Sequence, residues 1–294
     1  MIRFALNGRI EQTDAPGGLQ VLDWIRDTKG LKGTREGCRE GDCGACTVLL
    51  GELQEDSVSY LAACSCMLPM AAVHGKHLVT IEGLSSEDRL TPFQEAFHQQ
   101  GASQCGFCTP GMIMSLTGYL LSTREPTVAG AVESLDGNIC RCTGYAAVIR
   151  AVEKVLTELP GCSGNRLDDL ITHGHVPEYF REIPDILSTI PPADRKGDPR
   201  LIVAGGTDAY VDPDVSLTDL DPVLLDLPDT VEEKDGSILV SAGATVRTLR
   251  SSGVFRTIDH YMARISSTQI RSRATLGGNI MNGSPIGDLA VLFM

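Results

Sequence analysis

The chain has 294 residues, enough for about two average domains or three small ones. Ten cysteines are too few for a secreted disulfide scaffold, and the amino terminus lacks the apolar stretch of a secretory signal, so we expect a reducing, cytoplasmic location. A formal net charge of −13 argues against nucleic acid and anionic membranes as partners, and no apolar run reaches the ~20 residues of a membrane span.

Residues 1–83 are predicted to form a small α+β domain. Apolar side chains alternate along residues 2–6 ahead of the turn pair Asn7-Gly8, which is typical of a strand entering a tight hairpin. Further strands are expected at 47–50, 58–62 and 77–81, and a short helix at 19–26. The longest irregular segment, 29–45, is rich in glycine and cysteine.

Residues 84–158 are predicted to form a helical domain. Thr91 is followed by Pro92 and Gln94, which is the pattern of a capped helix start, and a Thr-Pro pair recurs at Thr109. Helices are expected at 92–100, 111–121, 127–135 and 143–156. Four helices in about 75 residues indicate a compact four-helix bundle.

The remaining sequence is divided by proline and glycine breakers. Residues 159–198 are predicted to be a linker, and residues 199–294 a third domain. In that domain an apolar strand at 201–203 runs into the pair Gly205-Gly206, and more strands are expected at 223–227 and 238–242. This order is typical of the start of an α+β nucleotide-binding domain, so the fold class is α+β multidomain.

The first cysteine set suggests a metal site. Cys38, Cys43 and Cys46 are separated by four and then two residues, which is the spacing of plant-type 2Fe–2S sites. Three glycines interleave with them: Gly37, Gly41 and Gly44. Glycine lets such a loop adopt positive φ and bring backbone N–H groups close to sulfur. The alternatives at this point are a zinc loop or three free cysteines.

The second cysteine set consists of the pairs Cys105/Cys108 and Cys140/Cys142. Each pair lies just ahead of a predicted helix start, where unpaired N–H groups and the positive end of the helix dipole favour an anionic cluster. A structural zinc accepts four cysteines equally well, so the spacing alone leaves iron and zinc open.

Three motifs connect these cysteines to a known family. Residues 34–47 read TREGCREGDCGACT, residues 104–111 read QCGFCTPG, and residues 137–145 read GNICRCTGY. In this order they closely resemble the iron–sulfur motifs of the xanthine dehydrogenase family of molybdenum hydroxylases. The resemblance implies a β-grasp ferredoxin domain followed by a four-helix-bundle domain, each with one 2Fe–2S cluster.

The resemblance also implies which cysteines are ligands. The first cluster takes Cys38, Cys43, Cys46 and Cys66, and the second takes Cys105, Cys108, Cys140 and Cys142. Cys64 competes with Cys66 for the fourth position of the first cluster. Because the family places this ligand three residues before a proline, and Cys66 stands three before Pro69, Cys66 is assigned and Cys64 is interpreted as a small buried side chain.

Two glycine-rich turns resemble the FAD-domain motifs of the same family. Residues 203–208 read VAGGTD, residues 267–271 read STQIR, and residues 275–288 read TLGGNIMNGSPIGD. Paired glycines let consecutive N–H groups converge on a pyrophosphate. By resemblance the FAD site is lined by Val203, Ala204, Gly205, Gly206, Thr207, Asp208, Thr275, Gly278, Asn279, Asn282 and Asp288. The family's domain continues well past the last motif, so the resemblance predicts a partial, truncated FAD-binding domain and leaves FAD retention open.

The resemblance implies an electron-transfer subunit without catalytic residues of its own. In the family a molybdopterin-binding large subunit oxidises a substrate, here a purine such as hypoxanthine or xanthine, and electrons pass through two 2Fe–2S clusters to FAD and on to NAD+. The alternatives are the small subunit of an aldehyde or N-heteroaromatic hydroxylase, a stand-alone ferredoxin-like carrier, and a zinc-stabilised interaction protein.

Overall fold

The structure, a computed structural model, describes residues 1–85, 89–159, 161–162, 164–193, 197–211, 216–283 and 287–293. Its elements form a mixed sheet, a group of helices and a smaller α+β region, which is the predicted α+β multidomain architecture. Among these residues, no helix combines the length and apolar character needed to cross a membrane.

A five-stranded mixed sheet forms the first part of the chain. Its strands are β1 (Ile2–Leu6), β2 (Arg9–Thr13), β3 (Thr47–Gln54), β4 (Ser57–Cys64) and β5 (His77–Val79). They lie in the order β2-β1-β5-β3-β4, with β1 and β5 parallel and the other neighbours antiparallel. Asn7 has a φ of +53° in the turn between β1 and β2, which explains the Asn-Gly pair there.

A short helix covers one face of this sheet. Helix α1 (Val21–Asp23) continues as a π-helical turn over Trp24–Thr28. Trp24 meets Phe4 edge to face with ring centroids 5.2 Å apart, in a buried core shared with β1, β3 and β5. A helix packed across a mixed sheet is the β-grasp arrangement, so the predicted ferredoxin-like domain is confirmed.

Four helices follow. They are α2 (Pro92–Gln99), α3 (Thr109–Ser122), α4 (Val128–Glu133) and α5 (Ala146–Glu158). The predicted capping box is present, because the Thr91 side chain accepts from the Gln94 N–H and the Gln94 side chain accepts from the Thr91 N–H. The apolar faces of the helices form one buried core, so the helical domain is confirmed.

Helix α3 packs directly against the sheet. Leu49 of β3 and Ala62 of β4 are buried in the same core as the helices. A Cβ atom at Gly118 of α3 would lie 2.9 Å from Leu49 Cδ2, so glycine allows the close approach. The sheet and the helices are therefore one packed unit.

The segment predicted as a linker, 159–198, contains further structure. Its helices are α6 (Arg166–Thr172) and α7 (Ile183–Ser188). Side chains of α6 are buried in the core of the helical domain, and side chains of α7 pack on Ala5 of β1. The segment is thus not an open connection. The apolar faces of its short helices are buried by contacts distant in sequence.

The last region is a smaller α+β unit. Strands β6 (Asp198–Val203) and β7 (Pro222–Leu224) are parallel, and β8 (Val231–Lys234) and β9 (Ser237–Val240) are antiparallel. The helices are α8 (Val246–Ser251), α9 (Asp259–Met262), α10 (Thr268–Arg271), α11 (Leu276–Asn282) and α12 (Asp288–Leu292). Helices α8, α9 and α12 share a small buried core. Residues 284–286 of the last glycine-rich motif lie outside the described residues.

Candidate functional site

The first cysteine set lies on a loop held by backbone hydrogen bonds to sulfur. The Cys38 N–H donates to Cys43 Sγ at 3.4 Å, and the Glu40 N–H donates to Cys38 Sγ at 3.4 Å. A Cβ atom at Gly37 would lie 2.7 Å from Cys43 Sγ, so this position excludes larger residues. Amide donors around cysteine sulfur and a glycine against it fit an iron–sulfur loop.

The fourth ligand position of this set has two neighbouring thiols. Cys66 Sγ lies 3.4 Å from Cys46 Sγ, while Cys64 Sγ donates to Gly41 O at 3.6 Å. Hydrogen bonds from Cys64 and Cys66 hold the pKa of Cys46 well below its usual range. The contact with Cys46, followed by burial, raises the pKa of both Cys64 and Cys66. Both thiols adjoin Cys46, and the choice of Cys66 stays a prediction.

The second cysteine set has a buried side and an exposed side. Cys108 and Cys140 are buried, whereas Cys105 and Cys142 are exposed. The Cys105 thiol adjoins that of Cys142, and the Cys108 thiol adjoins that of Cys140. Burial, followed by the bond to Cys140, raises the pKa of Cys108 to about 12. In the described part of the chain, no three His, Cys, Asp or Glu side chains converge to hold a single metal ion.

The two cysteine sets are in direct contact. The Ile139 N–H donates to Cys43 O at 3.1 Å. A Cβ atom at Gly44 would lie 2.2 Å from Gly137 O, and one at Gly111 would lie 2.2 Å from Gly44 O. All three cysteine motifs therefore meet backbone to backbone, and glycine is required at the contact.

The first flavin loop, residues 203–208, begins at the end of β6 and has free backbone N–H donors among the described residues. Gly206 has a φ of +82°. Among the described residues, the N–H groups of Gly206, Thr207 and Asp208 donate to no protein acceptor. Successive free amides fit a pyrophosphate, and burial raises the pKa of Asp208. A Cβ atom at Gly206 would lie 3.0 Å from Met67 O, so this loop lies against the first cysteine set.

The second flavin loop uses its amides internally. The N–H groups of residues 276–279 donate to Ala244 O, Ala242 O, Thr275 Oγ1 and Thr275 O respectively. The backbone N–H groups of residues 276–279 are therefore already paired within the protein, in contrast to those of the first loop. In the second loop, Asn279 Oδ1 is buried without a partner among the described residues, and a donor group of FAD would satisfy it.

The two flavin loops adjoin each other. A Cβ atom at Gly205 would lie 1.9 Å from Arg273 O, and the loop that carries Gly205 packs on Ala274. The structure thus brings the first flavin loop against the two residues that precede Thr275, whereas Asn282 and Asp288 are exposed further along the chain.

Sequence reasoning missed Arg273. Its Nε donates to Gly205 O at 3.0 Å, between the two flavin loops. Burial lowers the pKa of Arg273 to about 10, so its guanidinium remains charged at neutral pH. A basic residue between two flavin motifs was the available signal, but nothing local indicates that it contacts Gly205.

Family models match the chain in three places. The 2Fe–2S iron–sulfur cluster binding domain matches residues 4–70, the 2Fe–2S binding domain matches residues 80–153, and the FAD binding domain in molybdopterin dehydrogenase matches residues 175–294. The predicted cofactor-binding domains are thereby confirmed.

Several curated relatives are named xanthine dehydrogenase. The protein from Blastobotrys adeninivorans is 44% identical over 54% of this chain and 12% of its own length. The protein from Calliphora vicina is 28% identical over 99% of this chain and 27% of its own length. The chain thus spans 12% to 27% of the length of these relatives.

A solved structure, quinoline 2-oxidoreductase from Pseudomonas putida 86, is also similar to this chain. It is 30% identical, with 60% of this chain and 97% of that chain covered and a TM-score of 0.46. From the three matching domains and the relatives together, the chain belongs to the molybdenum hydroxylase family, as an iron–sulfur and FAD-binding protein of that family.

Proposed function

We propose that the chain is the electron-transfer subunit of a xanthine dehydrogenase-type molybdenum hydroxylase. It receives electrons from a molybdopterin-binding partner subunit that oxidises a purine such as hypoxanthine or xanthine, and it delivers them to NAD+. The names of the two curated relatives support the purine substrate. When bound, the 2Fe–2S clusters supply one-electron chemistry and FAD supplies two-electron chemistry.

The observation that carries this proposal is a continuous series of contacts through the chain. The second cysteine set is exposed at Cys105. The N–H of Ile139, which precedes Cys140 of this set, donates to Cys43 O of the first set at 3.1 Å. Met67, next to Cys66 of the first set, has its O 3.0 Å from the Cβ position of Gly206 in the flavin loop. The second set therefore adjoins the first, and the first adjoins the flavin loop.

The exposed side of the second set is the proposed entry point. Phe107 and Ile139 flank these cysteines and are 46% and 51% exposed. Apolar side chains at the surface favour protein contacts, which supports docking of the partner subunit at this side. The chain's own residues would hold and place the groups, and they shield Cys46 and Cys66 of the first set from water.

The test is to purify the full chain with its co-purifying partner and measure NAD+ reduction. We expect a molybdenum-containing complex that reduces NAD+ with hypoxanthine or xanthine. Turnover of aldehydes or N-heteroaromatic compounds alone would overturn the purine assignment. A chain that holds both clusters and binds no molybdenum protein would be a stand-alone carrier and would overturn the subunit role.

A further inference from the structure

One buried side chain of the flavin region, residues 199–294, is linked by hydrogen bonds to the loops of both cysteine sets. Gln269 of α10 is 1% exposed, and its Nε2 donates to Ser115 Oγ at 2.9 Å and to Asn138 Oδ1 at 3.0 Å. Asn138 donates through Nδ2 to Gly44 O at 3.0 Å. Asn138 lies in the motif that carries Cys140 and Cys142, and Gly44 lies in the loop that carries the first cysteine set. The Gln269 amide thus bonds directly to the second cysteine motif and is linked to the loop of the first through Asn138.

Gln269 lies at the backbone contact between these loops. A Cβ atom at Gly44 would lie 2.2 Å from Gly137 O, and one at Gly137 would lie 2.2 Å from Gln269 Oε1. Among the described residues, no donor reaches this Oε1. The side chain therefore lies against the contact at Oε1, and its amide nitrogen holds Asn138, which itself donates to Gly44 O across the contact.

The rest of α10 is anchored on both sides. The Thr268 N–H donates to Asp136 Oδ1 at 2.8 Å, and Arg271 forms an ion pair with the same carboxylate. Ile270 lies over the first cysteine loop, since a Cβ atom at Gly41 would lie 2.7 Å from Ile270 Cδ1. Ile270 also packs on the buried sulfurs of that set.

We propose that Gln269 is a positioning residue shared by the two iron–sulfur sites. It fixes the separation and orientation of the loops that carry Cys43 and Cys140, and this role rests on the proposed function. The potential of an iron–sulfur cluster depends on the hydrogen bonds and solvent exposure around it. A shift of either loop changes these hydrogen bonds and this exposure. A side chain that is bonded to one loop and linked through Asn138 to the other therefore affects both clusters.

The test compares Gln269→Leu with Ser272→Ala in the full chain loaded with iron and sulfide. Ser272 is 8% exposed, and its hydroxyl donates to Thr268 O at 2.8 Å inside the same segment. The measurements are iron per chain, the midpoint potential of each cluster from a redox titration followed by EPR, and the magnetic interaction between the clusters. We expect Gln269→Leu to shift both potentials and weaken the interaction, and Ser272→Ala to change neither.

A shift at one cluster only, or at neither, overturns the proposal. If Gln269→Leu does not load iron, Gln269→Glu is measured in the same way, because it keeps the side-chain size and removes both amide donors. If both Gln269 variants lose both clusters while Ser272→Ala keeps its full iron content, the shared role is supported. If they lose only one cluster, it is contradicted. An unmodified chain that binds no iron would overturn the proposed function instead, so the two failures are distinguishable.

Discussion

The two cysteine sets have similar thiols in different surroundings. In the first set Cys46 and Cys66 are 2% and 1% exposed, and Ile270 of the flavin region packs over them. In the second set Cys105 and Cys142 lie at the surface. The difference distinguishes an inner site beside the flavin loop from an outer site open to a partner. Packing around each loop, and not the cysteine spacing, produces this difference.

The largest expected effect comes from breaking the contact between the inner and outer sites. Gly44→Ala places a Cβ atom 2.2 Å from Gly137 O, a backbone atom that cannot turn aside, at a φ of +64°. The left-handed backbone costs about 1–2 kcal/mol for a residue with a Cβ atom, and the clash adds to it. We expect loss of iron from both sites and a clear fall in Tm.

The matched control for this variant is Gly75→Ala. Gly75 has a φ of +71° and no atom within 4 Å of its Cβ position, so only the backbone cost applies. Iron analysis and thermal unfolding compare the two variants. Equal effects would contradict the tight contact between the cysteine sets.

The next largest expected effect is loss of the cluster at the inner site, while the outer site keeps its cluster. Cys66→Ser removes a predicted ligand, so we expect about half the iron to be lost while the outer cluster keeps its EPR signal. Cys64→Ser is the control, because its hydroxyl can still donate to Gly41 O, and it should keep both clusters. The reverse result would make Cys64 the fourth ligand.

A smaller effect concerns the flavin loop beside the inner site. Arg273→Met removes the charged donor that holds Gly205 O, a bond of about 1.5 kcal/mol, so we expect FAD to bind roughly ten-fold more weakly. Arg256→Met, at an exposed position of the same region, serves as the control. Fluorescence titration with FAD measures both, and unchanged affinity in Arg273→Met would exclude this residue from ordering the loop.

The smallest effect is a difference in rate between the two sites. An iron chelator should remove the outer cluster several-fold faster than the inner one, since Cys105 and Cys142 are exposed and Cys46 and Cys66 are buried. EPR signals followed over time distinguish the clusters. Loss at equal rates would show that the inner site is not protected.

Local patterns predicted much of this molecule, and distant contacts account for the rest. Thr91 and Gln94 predicted a helix start because both capping partners lie within four residues. The positions of Gln269 and Arg273 could not be predicted, because their partners lie 131 and 68 residues away. For the same reason the helices within 159–198 were missed, since their apolar faces are buried against the earlier domains.

The most direct test is iron and sulfide analysis of the chain purified without air, combined with EPR of the reduced protein. Two 2Fe–2S clusters require about four irons per chain and two distinguishable signals, one from each cysteine set. A colourless protein that contains zinc or no metal would contradict the electron-transfer role.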